Sequence, residues 1–188
     1  MENGADVLAK IAMAITSGDD HKARSILIEE YPLVPPSETE RRAYSQRQAL
    51  EVFIRDGFID RYTGRKLVYP SVLYALADRF PDELPLGGGR KKSHSAHWDL
   101  FPTIDHLVPV AKGGQDAPSN WVTTSMTTNM AKSDTPLEIL GWKLCEPGKF
   151  DEWDGLCSWY AEYIQQNPDA GAVRLNKGWH DAFVKRFL

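Results

Sequence analysis

Apolar side chains recur at intervals of three and four near the start of the chain, at Val7, Leu8, Ile11, Ala14 and Ile15 and again at Ile26, Leu27 and Tyr31. Such spacing lines one side of an α-helix. It predicts two helices, the first ending near Gly18 and the second capped by Asp19 or Asp20. The second stops before Pro32 and Pro35-Pro36, whose rings oppose helical backbone. Ser37 and Glu40 stand at capping-box spacing, and Thr39 to Arg55 places Ala43, Leu50, Phe53 and Ile54 on one face, predicting a third helix. A turn at Arg61-Tyr62-Thr63-Gly64-Arg65, a helix from about Ser71 to Arg79 and a Pro- and Gly-rich loop from Pro81 to Lys92 follow.

From Phe101 the pattern turns to β. Phe101, Thr103, Ile104, Leu107, Val108 and Val110 are strand formers, and Asn120 to Thr124 forms a second extended run. Ala111 to Asp116 lies between them, with a glycine pair suited to a reversal. Ser125 to Lys132 then favours a helix capped by Ser125, and Pro136 opens a short one ending near Gly141. Asp151 to Gln166 carries Trp153, Leu156, Trp159, Tyr160 and Tyr163 at helical spacing, a stripe suited to core packing rather than base stacking. A last helix is expected from about Ala172 to Phe187. The fold class is therefore α+β, mainly helical, in three regions (1–60, 61–141 and 142–188) that make one compact domain.

Composition bounds the function. With 188 residues, 42% hydrophobic and 26% charged, the chain can bury a core. A net charge of -4 argues against coating nucleic acid through bulk positive charge, but leaves room for a local basic groove. The best candidates for a backbone contact are Arg90, Lys91 and Lys92, just after Gly87-Gly88-Gly89, together with Arg65. Arg41, Arg42, Arg47 and Arg55 alternate with Glu38, Glu40, Glu51, Asp56 and Asp60, which reads as a solvated face. Cys145 and Cys157 are too few for a disulfide scaffold or a four-thiolate zinc site and read as free buried thiols. The first residues lack the basic start and apolar run of a signal peptide or membrane anchor, so a reducing, cytoplasmic setting without membrane contact is expected.

The chemically dense stretch runs from Pro102 to Asp134. Asp105 offers a hard carboxylate oxygen for Mg2+ or Mn2+, and His106 an imidazole that titrates at about 6.5 when unperturbed. Neighbours on an ideal strand point to opposite faces, so the pair can serve one site only where the strand ends or twists. His94 and His97 lie just upstream; a phosphate contact is the preferred reading of His97 and an extra metal ligand the second. Trp98, Trp121 and Trp142 bracket the stretch and are expected to form its core.

Asp105-His106, Pro109, Gly113-Gly114, Asn120, Asn129 and Lys132 together resemble the HNH endonuclease family, and in their spacing the HNH domain of CRISPR effectors, over about residues 98 to 135. The resemblance implies a small ββα-metal core and hydrolysis of DNA, with RNA as a second candidate. His106 would be the general base. Asp105 and Asn129 would hold one divalent metal, Mg2+ or Mn2+. Asn120 would pin the loop and orient His106, and Lys132 would contact a phosphate, though a solvated helix end fits it equally. One site per chain implies a homodimer for symmetric double-strand cutting. The chain departs from many relatives in lacking zinc-binding Cys-x-x-Cys pairs, so no structural zinc is expected; Tyr62-Thr63-Gly64 lies where the first pair would fall. Thr127 stands where some relatives place an acid. The competing class is a catalytically silent ββα module that binds nucleic acid or a protein partner.

Overall fold

The structure, a computed structural model, describes residues 4–30, 32, 44–87, 89–171 and 175–188. It divides into two compact units, Met1–Arg42 and Ala43–Leu188. The first holds α1 (Gly4–Thr16) and α2 (Asp20–Glu30), packed on one another with Val7, Ala14 and Ala23 buried. The Asp19 carboxylate accepts from the Lys22 amide at 2.9 Å, satisfying one of the amides that a helix start leaves open. The Ser37–Glu40 box lies outside the described residues.

In the second unit α3 spans Gln46–Arg55, later than the expected start at Thr39. Its capping box is Ser45 with Gln48: the Gln48 amide donates to Ser45 Oγ at 3.2 Å, and the Ser45 amide to Gln48 Oε1 at 3.0 Å. This box sets the start of α3. Ala49, Leu50, Val52 and Phe53 form the buried face of α3.

α4 (Pro70–Arg79) starts with proline in its first turn, where the missing amide hydrogen costs nothing. Two short helices, α5 (Ala96–Asp99), and later α6 (Met126–Lys132), flank a two-stranded antiparallel sheet of β1 (Pro102–His106) and β2 (Trp121–Ser125). The register sets Asp105 opposite Val122 and His106 opposite Trp121. β1 stops at His106, short of the expected Val110, because Pro109 cannot donate to a ladder and Val110 to Lys112 wind into a 3-10 turn. α7 (Leu137–Leu140) ends at Gly141.

The aromatic stripe enters its helix later than its periodicity suggests. α8 is Cys157–Gln166, because Asp154 accepts from the amides of Leu156 and Ser158, both at 2.8 Å, and caps the chain there. Trp153 is thereby off the helix, and its indole donates to the Leu67 carbonyl at 2.8 Å. α9 is Lys177–Phe187. Phe53, Phe58, Tyr69, Tyr160 and Phe183 make the aromatic centre of the core, with Trp153, Leu156 and Tyr163 packed against it; Trp159 is exposed, so packing is the stripe's role at every position but that one. Cys157 is buried and Cys145 half-buried; both are free. The result is a mainly helical α+β fold. Among the described residues, no helix is long and apolar enough to cross a membrane.

A lone two-stranded hairpin is marginal in water. Here α3 covers one face, where Thr123 Oγ1 donates to the Val52 carbonyl at 3.2 Å, and α6 covers the other. The outer edge of β2 is closed by two side chains. Asp56 accepts from the Thr123 amide at 2.8 Å and Asp60 from the Ser125 amide at 3.1 Å, while the Arg61 amide donates to the Thr123 carbonyl at 2.9 Å. Asp56 and Asp60 are 0% and 1% exposed, which overturns their reading as members of a solvated face. Asp56 is ion-paired with Arg55 at 3.0 Å and Arg61 at 3.1 Å, so its charge is compensated. Asp60 also accepts from the amides of Tyr62 and Thr63, fixing the Tyr62-Thr63-Gly64 turn.

Candidate active site

The Asn120 side-chain amide makes three of the bonds that hold the loop from Leu107 to Asn120. Asn120 Oδ1 accepts from the Val108 amide at 2.9 Å, and its Nδ2 donates to the carbonyls of Val108 at 2.9 Å and Gln115 at 2.8 Å. Gly114 permits this closure: a β-carbon there would collide with the Val108 carbonyl and crowd Asn120 Nδ2. Gly113 takes the left-handed conformation, with φ +90, that lets the chain reverse. Arg55 secures the far end, donating to the carbonyls of Pro118 and Trp121. Asn120 thus grips the loop rather than the histidine, whose ring meets Asp116 and Trp121.

His106 is buried, and its Nε2 lies 2.7 Å from Asp116 Oδ1. The Trp121 indole nitrogen stands 2.9 Å from the same carboxylate oxygen and 3.2 Å from His106 Nε2. Trp121 has one hydrogen to give. If Nε2 were bare, two lone pairs would face each other across 2.7 Å; with a hydrogen on Nε2, both nitrogens donate to Asp116. The network therefore sets the neutral imidazole as the Nε2–H tautomer and leaves the Nδ1 lone pair to accept a proton. Asp116 was missed in the sequence, although it is the one acid between His106 and Asn120.

Asp105, the residue before His106 at the end of β1, has a separate set of partners. Its Oδ2 accepts from Tyr62 Oη at 2.6 Å and is ion-paired with Lys132 Nζ at 2.8 Å. Burial, and then the hydrogen bond to Asp105 and its charge, push the Tyr62 phenol far above its ordinary range, so it remains a donor. Lys132 is 0% exposed and also donates to the His106 carbonyl at 3.0 Å. It is neither a phosphate contact nor a solvated helix end, because its ammonium is spent inside the protein. Asn129, one turn earlier on α6, donates from Nδ2 to the Ile104 carbonyl at 3.2 Å. Lys132 and Asn129 thus tie α6 to the end of β1, Lys132 at Asp105 and His106 and Asn129 at Ile104.

This set suits a hard divalent cation in part. Asp105 Oδ1 and Asn129 Oδ1 take no hydrogen bond from a described residue, and oxygen donors suit Mg2+ or Mn2+. Against them stands the Lys132 charge. Among the described residues, no group of three or more His, Cys, Asp or Glu side chains could hold a metal. Thr127 donates to Asp99 at 2.7 Å, tying α6 to α5.

Of the basic positions, Arg65, Arg90, Lys91 and Lys92 are exposed. His97 is 4% exposed, and burial lowers its pKa, so it is neutral and inside the protein rather than a phosphate contact. Trp121 belongs to the core, whereas Trp98 and Trp142 are half-buried, Trp142 tilted against Tyr62 at 5.9 Å. Only one of the three expected tryptophans therefore sits in the core.

No family model, no curated protein and no solved structure matches this chain.

Proposed function

We propose that the chain is a metal-dependent endonuclease of the HNH type that hydrolyses DNA. The observation that carries this reading is His106, buried with Nε2 engaged by Asp116 and Nδ1 left to accept a proton, at the strand end where Asp105 and Asn129 lie. His106 Nδ1 takes a proton from the water that attacks phosphorus; the P–O3' bond breaks and the departing O3' takes a proton from solvent water, leaving a 3'-hydroxyl and a 5'-phosphate. Asp105 and Asn129 would hold a divalent cation, Mg2+ or Mn2+, which would supply charge stabilisation for the departing oxygen. Asp116 holds the imidazole, and Asn120 holds the loop that carries Asp116. Exposed Arg65, Arg90, Lys91 and Lys92 draw in the phosphate backbone. RNA is the second substrate candidate, double-strand cutting calls for a homodimer, and a reducing, cytoplasmic setting fits the free thiols.

One observation favours the silent binding module: Asp105 already has a cation, Lys132, at 2.8 Å. Incubation of plasmid and single-stranded DNA with Mg2+, Mn2+ or chelator separates the two. The nuclease cuts only with metal and leaves 5'-phosphate ends; DNA that is bound but intact under every metal would establish the silent module.

A further inference from the structure

The carboxylate that would hold a metal is paired with a lysine that cannot leave for solvent. Lys132 Nζ contacts Asp105 Oδ2 at 2.8 Å and the His106 carbonyl at 3.0 Å, and the residue is 0% exposed. Tyr62 donates to the same Oδ2 at 2.6 Å. One carboxylate oxygen is thus occupied by two donors, and Oδ1 is what remains for a cation. The other candidate ligand, Asn129, is neutral, and Asp99 on α5 is engaged by Thr127. The charges of Asp105 and Lys132 offset one another, so a divalent ion arriving here meets little net attraction from this pair. Mg2+ gives up water reluctantly and is usually held by one or two carboxylates plus substrate phosphates rather than by protein alone.

Resting on the nuclease reading, we propose that this site takes its divalent cation only together with a nucleic-acid phosphate, because Lys132 offsets the charge of Asp105 and the phosphodiester must supply what is missing. Lys132 is then a positioning residue and an internal counter-cation: it keeps Asp105 in place without metal and makes metal and nucleic acid bind cooperatively. Coupling of this kind is reciprocal. The factor by which nucleic acid tightens the metal is the factor by which metal tightens nucleic acid.

The test uses the full chain carrying His106→Ala, so that nothing is cleaved. Free Mn2+ is followed by electron paramagnetic resonance, with and without a short single-stranded DNA oligonucleotide, and the Mn2+ taken up by oligonucleotide alone is subtracted. The expected result is weak binding to protein alone and an affinity gain of about tenfold or more with oligonucleotide. Adding Asp105→Asn abolishes the gain. Adding Lys132→Gln, which keeps a donor but removes the charge, lets Mn2+ bind about as well without oligonucleotide. Equally tight Mn2+ binding with and without oligonucleotide, lost in Asp105→Asn, would overturn the cooperativity and leave the nuclease reading standing. Binding that ignores Asp105→Asn altogether would remove the metal site and both proposals. The comparison with and without oligonucleotide needs no Lys132 variant, so misfolding of Lys132→Gln does not blunt it.

Discussion

The Nε2 of His106 and the Oδ1 of Asp116 are 2.7 Å apart, and this contact decides which nitrogen of the neutral imidazole carries the hydrogen. Asp116 is 43% exposed on its side chain, yet it fixes a ring that is 7% exposed. Asp116→Asn removes the acceptor's charge and can turn its amide toward Nε2, allowing the other tautomer. We expect kcat to fall about 10- to 100-fold with KM nearly unchanged, as when partners that orient a functional histidine are lost. Steady-state kinetics on an oligonucleotide checks this; a change confined to KM would make Asp116 a substrate contact instead.

Gly114 is a second control point. A β-carbon there meets the Val108 carbonyl, which is backbone and cannot step aside without opening the Asn120 grip. Gly114→Ala should cost about 1–3 kcal/mol of stability, the usual penalty for overpacking, and should lower activity further by displacing Asp116. Urea unfolding measures the first effect. Wild-type stability in this variant would mean that the loop closes loosely.

The edge of β2 makes a prediction about the missing zinc pairs. Asp60 accepts from the amides of Tyr62, Thr63 and Ser125 and from the Thr124 hydroxyl, so one carboxylate holds both the turn and the strand. Asp60→Ala leaves several buried donors without an acceptor, and we expect a loss of about 3 kcal/mol or more, seen as a lower urea midpoint. A shift below about 0.5 kcal/mol, the range of an ordinary surface substitution, would refute that role.

His97 links burial to pH. Its pKa is lowered by burial, so the folded chain resists a proton that the unfolded chain accepts below about pH 6.5. The unfolded state then binds more protons, and stability falls as pH drops below that value. His97→Gln cannot take up the proton, so its stability relative to wild type should rise as the pH falls from 7 toward 5. Parallel thermal melts across that range check it; parallel curves would show that His97 gains its proton without cost.

Much of the fold is legible in the chain because it rests on local rules. The helix periods, Gly18 with Asp19, the Ser125 cap and the Gly113-Gly114 reversal are each written in adjacent residues. Boundaries were misplaced where two local signals competed. Ser45-x-x-Gln48 starts α3 beyond Thr39, and Asp154 delays α8 past Trp153. The site was legible as residue types but not as partners. Charge patterning made Asp56 and Asp60 look solvated, and the family resemblance made Lys132 look like a phosphate contact, since only long-range pairing reveals that each is buried. His97 failed for the same reason. Asp116 could have been noticed as the single acid in a loop that ends on His106 and Asn120.

The central claim, that His106 is the base of a metal-dependent nuclease, is tested most directly by nicking of supercoiled plasmid by wild type and His106→Ala at equal concentration in Mg2+, with matched circular dichroism. The account expects nicking by the wild type that chelator abolishes and that the folded variant lacks. Equal nicking by both proteins would contradict it.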